Sequence, residues 1–68
     1  MSDDKAEKAA AIRDLESDIR RYRHDQANRK AMMQGLDPNS AAAKEHIRVF
    51  AQLERNIAQA EQKIRQLR

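Results

Sequence analysis

Apolar residues along this chain fall in a frame of alternating steps of three and four positions, in two segments that a short break separates. Most positions of this frame are apolar. The recurring positions are Ile12, Leu15, Ile19, Tyr22, Met33 and Leu36, and then Ala43, Phe50, Leu53, Ile57, Ala60, Ile64 and Leu67. This alternation is typical of the seam of a coiled coil, whose members lie along one side of an α-helix. The pattern predicts two amphipathic helices.

The break between the two segments contains the only glycine and the only proline of the chain, Gly35 and Pro38. Gly35 can end a helix in the left-handed conformation. Asp37 can cap the next helix, with Pro38 at its first position. We predict one domain over the whole chain: a first helix at about 4–35, a turn at about 36–39 and a second helix at about 38–68. Because the connection is short, the helices should be antiparallel neighbours.

Folding at this turn aligns the two seams level by level. Opposite partners in the resulting register include Ile12 with Ile64, Ile19 with Ile57, Tyr22 with Leu53, Gln26 with Phe50, and Arg29 with His46. Composition alone does not require this agreement. The sequence therefore predicts an all-α fold, an antiparallel two-helix coiled-coil hairpin.

A single hairpin of 68 residues without cysteine has little to stabilise it, because two helices cannot enclose a side chain on all sides. Additional apolar residues, among them Met32, Ile47 and Val49, widen the stripe beyond a two-helix seam. We therefore expect a homodimer in which two hairpins form a four-helix bundle. Its core would comprise Ile12, Leu15, Ile19, Tyr22, Phe50, Leu53, Ile57, Ile64 and Leu67.

Three polar residues, Gln26, Arg29 and His46, occupy seam positions near the turn. They could form a polar layer that fixes the register, or a shift of the heptad frame could turn them outward. Alternatively, they could form a notch that awaits groups of a binding partner. The sequence leaves these alternatives open.

The formal net charge is +3, with basic residues concentrated near the middle of the hairpin. Arg20, Arg21 and Arg23, with Arg48 from the second helix, predict a basic belt there. Such a belt could meet an acidic protein surface, follow nucleic-acid phosphates or remain solvated. The only aromatic residues are Tyr22 and Phe50, both in the seam, which disfavours stacking on exposed bases.

No arrangement of residues predicts catalysis, and we expect no enzyme activity, cofactor or metal. The two histidines, His24 and His46, lie at different levels of the hairpin, which disfavours a shared metal site within it. The chain has no glycine-rich phosphate loop and no apolar run near the roughly 20 residues of a membrane span. Its polar start does not resemble a secretory signal. We therefore expect a cytoplasmic protein without a membrane association.

These features favour a non-enzymatic module that binds a protein partner through a helix face, as a small regulatory adaptor, an inhibitor or anti-activator, or a co-chaperone. The expected contact residues are Arg20, Arg21, Arg23, Met32, Met33, Ile47, Arg48 and Val49. One alternative is a dimeric RNA- or DNA-binding regulator that uses the central arginines. Another is a structural assembly element.

Overall fold

The computed structural model describes residues 2–68, and side chains from Asp3 onward, as two packed α-helices. Helix α1 spans Ser2–Met33 with 32 residues, and helix α2 spans Ala41–Leu67 with 27 residues. No strand occurs among these residues. The hairpin measures 56 × 15 × 12 Å. The prediction of an all-α chain folded into a two-helix hairpin is confirmed.

The turn covers residues 34–40 and is longer than the predicted 36–39. Asp37 does not cap α2. Its carboxylate accepts a hydrogen bond from the backbone N–H of Asn39 at 2.9 Å, while its carbonyl accepts one from the backbone N–H of Ser40 at 3.0 Å. Ser40 is the cap, because its hydroxyl accepts a hydrogen bond from the backbone N–H of Ala43 at 3.1 Å. Pro38 therefore precedes the helix instead of opening it.

The end of α1 also differs from the prediction, because Gly35 does not adopt a positive φ. Two hydrogen bonds to carbonyls three residues earlier close the last turn instead. The N–H of Gln34 donates to Ala31 at 3.3 Å, and the N–H of Leu36 donates to Met33 at 3.0 Å. Such bonds tighten a helix end without a left-handed residue, so helical structure stops two residues before the predicted end.

Two of the predicted seam pairs form direct contacts, which shows that the helices are antiparallel in the expected register. The side-chain amide of Gln26 donates to the carbonyl of Phe50 at 3.3 Å. The guanidinium of Arg29 lies 3.2 Å from Nδ1 of His46. Both pairs lie at the levels that the heptad frames assign to them.

Burial is unequal between the two helices. Among the described residues, the buried apolar side chains all belong to α2, namely Ala43, Leu53, Ile57, Ala60 and Ile64. In α1 the buried residue is Gln26, whereas Ile12, Leu15, Ile19 and Tyr22 are half-buried, as are Phe50 and Leu67 in α2. Three of the nine predicted core residues are thus enclosed by a single hairpin. The α1 side of the seam remains partly open to solvent.

Candidate binding surface

The outside of the hairpin divides into two broad faces and two outer edges. In heptad notation, positions a and d form the seam between the helices. Around each helix, positions b and e lie on one side of the seam, positions c and g lie on the other side, and position f points away from the partner helix. Position a falls at Ile12, Ile19, Gln26 and Met33 in α1 and at Ala43, Phe50, Ile57 and Ile64 in α2. Because the helices are antiparallel, the e positions of both lie on the same broad face. Arg23 and Glu61, both at e, approach to 4.0 Å across the helices, in agreement with this geometry.

The broad face formed by positions b and e, here called the basic face, carries seven cationic and three acidic side chains, a net charge of +4. The cations are Arg13, Arg20, Arg23, Lys30, Lys44, Arg65 and Arg68, and the acids are Glu16, Glu54 and Glu61. Among the described residues, only Arg23 of these seven has a carboxylate within 4.0 Å. Six cations of the basic face are therefore available to an external anion or acidic surface.

An apolar hollow of about 330 Å³ lies on the basic face close to the turn. Met33, Ile47, Phe50 and Ala51 line it, and Lys30 borders it. Ile47 is 54% exposed, unusually open for a large aliphatic side chain. The hollow combines an apolar floor with a cationic rim, which is the chemistry that suits an apolar side chain of an acidic segment.

A second groove, of about 420 Å³, lies on the basic face towards the free ends of the helices. Ile19 and Ile64 line its floor, and its walls carry Glu16, Arg20, Glu61, Arg65 and Arg68. This groove is polar, in contrast to the hollow near the turn. The basic face thus has an apolar end and a charged end.

The opposite broad face, formed by positions c and g and here called the acidic face, carries six acidic and two cationic side chains, a net charge of −4. The acids are Asp4, Glu7, Asp14, Asp18, Asp25 and Glu45, and the cations are Arg21 and Lys63. Three of the acids have partners in the chain: Asp18 pairs with Arg21, Asp25 with Arg29 at 3.2 Å, and Glu45 with Arg48. Even when Arg29 and Arg48 are counted with this face, its charge remains negative.

Arg48 lies on the outer edge of α2, at position f, and is bound to Glu45. Its guanidinium donates to both carboxylate oxygens of Glu45, at 3.1 and 2.5 Å. The hydrogen bond lowers the pKa of Glu45 and raises the pKa of Arg48. This bidentate pair orients Arg48 towards the acidic face.

The structure separates the eight contact residues expected from the sequence. Arg20, Arg23, Met33 and Ile47 lie on the basic face or in its hollow. The heptad frame places Arg21, Met32 and Val49 on the acidic face, where Met32 is 60% exposed, and Arg48 on the outer edge. The predicted belt is thus divided between two faces.

The contact residues expected from the sequence omit five cations of the basic face, namely Arg13, Lys30, Lys44, Arg65 and Arg68. Their heptad positions, b and e, were readable from the sequence. Grouping arginines by their proximity along the chain hid this signal, because residues adjacent in a helix point in different directions.

The polar residues of the seam have their hydrogen-bond partners within the hairpin. Buried Gln26 donates to Glu54 at 2.8 Å as well as to the carbonyl of Phe50 at 3.3 Å. Arg29 donates to Asp25 at 3.2 Å and also contacts His46. Among the described residues, no buried side-chain polar atom lacks a hydrogen-bond partner. This arrangement favours a polar layer that fixes the register over a notch awaiting a partner.

Residues 2–68 contain no group of three or more His, Asp and Glu side chains that could hold a metal ion. Neither described helix contains an apolar stretch long enough to cross a membrane.

Comparison with models of known protein families, with curated proteins and with solved structures finds no match to this chain. Functional proposals consequently rest on the geometry and charge of the two faces.

Proposed function

We propose that this chain is a non-enzymatic protein-binding module whose basic face docks on an acidic surface of a protein partner. Such a module would serve as a small adaptor, inhibitor or anti-activator, or co-chaperone. The observation that carries the proposal is the apolar hollow around half-exposed Ile47, on a face with six cations that have no carboxylate partner among the described residues. Apolar anchors surrounded by charges are typical of protein interfaces.

In this mechanism the two parts of the face have different tasks. Ile47, with Met33 and Phe50 beside it, provides the apolar contact that lowers the dissociation rate once water leaves the hollow. The exposed cations attract an acidic partner and orient its approach, which raises the association rate. Because rim charges are screened by salt, association should weaken with ionic strength while the apolar contact persists.

We also propose that hairpins associate with one another to form four-helix bundles. The chain has a solvent-accessible surface of 5400 Å², whereas a compact monomer of 7.9 kDa exposes about 4,400 Å². The excess of about 1,000 Å² exceeds the roughly 800 Å² that each partner buries in an interface of standard size. Covering one broad face would bury most of this excess surface.

Site-specific photocrosslinking tests the proposed docking face. A photoreactive amino acid is placed at Ile47 on the basic face or, as the matched control, at Met32 on the acidic face; both native side chains are exposed. In cells that naturally produce the protein, position 47 should crosslink to a defined partner that position 32 does not capture. Crosslinking of that partner from position 32 alone would refute the assignment of the face.

The second candidate function is nucleic-acid binding, because a basic face of net charge +4 can also contact a row of phosphates. Both aromatic residues, Tyr22 and Phe50, are half-buried in the seam, so bases have little to stack on. Titration of labelled RNA and duplex DNA between about 50 and 200 mM salt separates the two functions. A nucleic-acid binder would lose affinity with a log–log slope of about −0.9 for each phosphate contacted on duplex DNA.

A further inference from the structure

The opposite charges of the two broad faces restrict how copies of this hairpin can meet. A dimer with twofold symmetry places the same face of each copy against itself. Joining two basic faces would oppose seven cations with seven cations, and joining two acidic faces would oppose six acids with six acids. Like charges brought together at an interface are unfavourable, so both symmetric face-to-face arrangements are disfavoured.

We propose that the basic face of one copy binds the acidic face of the next, with the hairpins stacked in the same direction. This inference builds on the proposed self-association and names its geometry. Charge complementarity carries it: a face of net charge +4 meets a face of net charge −4, or −2 when its ion-paired Arg29 and Arg48 are counted. Two stacked copies form a four-helix bundle, but one basic face and one acidic face remain uncovered.

The charges also match in height along the helices. A copy displaced sideways, without rotation, keeps each residue number at the same level, so α1 lies over α1 and α2 over α2. This places Arg13 near Asp14 of the next copy, Arg23 near its Asp25, and Lys44 near its Glu45. Arg20 lies between Asp18 and Arg21 of the next copy, and Glu16 meets its Asp18, so the attractive pairs outnumber the repulsive ones. Arg13, Arg20 and Lys44 are all exposed and have no ion-pair partner among the described residues.

Apolar residues match at the same levels, close to the turn. Ile47 projects from the basic face beside the hollow, while Val49 and Met32 occupy the acidic face. Stacking brings Ile47 close to Val49 of the next copy. Met32, which is 60% exposed, would gain cover in the same contact. Apolar and charged complementarity thus point to the same arrangement.

The dimensions of the hairpin suit this contact. A broad face extends over 56 × 15 Å, which is comparable to the roughly 800 Å² per partner of a standard interface. Because the two joined faces differ, the contact does not close on itself, and further copies can add at either end. The expected product is an open series of oligomers whose mean mass rises with protein concentration.

Stacking and partner binding use the same basic face and must compete. Within a stack, only the copy at one end keeps its basic face and hollow open. An acidic partner that docks there would cap the stack and shorten it. Self-association therefore limits how much of the protein is available to the proposed partner.

The first test is the mass of the intact chain in solution as a function of concentration and salt. Sedimentation velocity with light scattering is performed at about 0.05 and 1 M salt, between which screening shortens from over 10 Å to about 3 Å. Stacking predicts a mass that passes beyond twice 7.9 kDa at low salt and decreases at high salt. A closed dimer at every concentration would overturn stacking but keep the proposed bundle. A monomer throughout would overturn both and leave the basic face to a different protein or to nucleic acid.

The second test exchanges the charges of single faces. The double variant Arg13→Glu with Lys44→Glu reverses two cations of the basic face, and Asp14→Arg with Glu45→Arg reverses the two acids that face them on the acidic face. Each variant alone should associate at least about tenfold more weakly, because attractive pairs become repulsive. Mixed in equal amounts, the two variants should associate again. The basic face of the first variant, now more acidic, meets the acidic face of the second, now more basic.

The control is the double variant Ala31→Glu with Arg55→Glu, which also adds negative charge, lowering the formal net charge by about 3 instead of about 4, but at exposed outer f positions that have no ion pair among the described residues. Stacking predicts that this variant associates like the original chain. Circular dichroism establishes that all three variants remain helical. If the control weakens association as much as the basic-face variant, or if the mixture fails to associate, the proposed stacking is wrong.

Discussion

Ile57 and Ile47 offer the same chemical deletion in two environments, and we predict that truncation to alanine has unequal effects. Ile57 lies in the seam and is 4% exposed, whereas Ile47 lies on the basic face and is 54% exposed. Ile57→Ala removes three carbon atoms from a buried site, at about 0.8 kcal/mol for each. Only one other helix packs against the site, so the gap can partly close or fill with water. The expected loss is about 2–3 kcal/mol, the lower part of the range for such substitutions.

Ile47→Ala removes the same atoms from a side chain that keeps about half of its exposure in the folded chain. The loss should be about 1 kcal/mol, because only about half of this side chain leaves water on folding and its removal leaves no cavity. In a chain of 68 residues, a loss of 1 kcal/mol lowers the melting temperature by about 4–8 °C. Ile57→Ala should therefore melt roughly 10–20 °C below the original chain, and Ile47→Ala about 4–8 °C below it.

Urea and thermal unfolding followed by circular dichroism measure both variants. High salt and low protein concentration are used, so that association does not add to the stability of the fold. Equal losses for the two variants would refute the burial reasoning, as would a loss below about 1 kcal/mol for Ile57→Ala. Equal losses at high concentration and low salt, but unequal losses when association is suppressed, would instead show that association buries Ile47.

Three further predictions concern the turn, the polar layer and an exposed ion pair. Ser40→Ala should destabilise the hairpin by about 1 kcal/mol because it removes the cap of α2, while Asp37→Ala should cost less; the midpoint of urea unfolding compares them. Gln26→Leu should leave the free energy of unfolding unchanged or raise it, because exposed Glu54 can replace the lost hydrogen bond with one from water. A lower melting temperature in calorimetry would contradict this prediction. Arg48→Gln should raise the pKa of Glu45, whose lowering depends first on that hydrogen bond, as NMR titration of the carboxylate can show. Since the folded chain lowers this pKa, the pair stabilises the fold at neutral pH and loses its effect as the pH falls through the folded pKa.

The register of the hairpin was predictable because it depends on the spacing of many residues at once. A shift of one heptad would separate Gln26 from Phe50 and Arg29 from His46, both of which are in contact. It would also move Ile57, one of the least exposed side chains, away from its seam partner Ile19. Each seam residue therefore supports the same alignment, and an error at one position changes little.

The turn was harder to predict because it depends on a few competing hydrogen bonds. Asp37 and Ser40 are both good cap residues and lie three positions apart. With Ser40 as the cap, Asp37 still makes a local bond to Asn39; the reverse arrangement leaves Ser40 in the first helical turn, where its hydroxyl caps nothing. Local propensity ranks the two residues about equally, so the choice depends on the complete set of bonds.

The division of the basic belt between two faces was readable from the sequence but was missed. Arg20 and Arg21 are adjacent in the chain, yet they fall at heptad positions b and c, on opposite sides of the seam. The sequence showed where the cations lie along the hairpin. Their direction around each helix required the heptad frame to be applied to every polar position as well.

The distribution of polar and apolar levels along the hairpin also has a kinetic consequence. Contacts near the turn close short loops and form at the lowest entropic cost, whereas Ile12 and Ile64 close a far longer one. Beyond the small level formed by Met33 and Ala43, the next two levels pair Arg29 with His46 and Gln26 with Phe50. Their polar members bury little apolar surface. Folding that starts at the turn must therefore cross a weakly favourable section before the large aliphatic side chains meet.

The folding barrier should consequently lie close to the point at which Tyr22 reaches Leu53, the first large apolar pair beyond the polar layer. Residues nearer the free ends, such as Ile64, pack after the barrier has been crossed. Their truncation would speed unfolding with little change in the folding rate, while Gln26→Leu would speed folding. The polar layer near the turn would thus set how fast the hairpin forms, and the free ends of the helices would set how long it lasts.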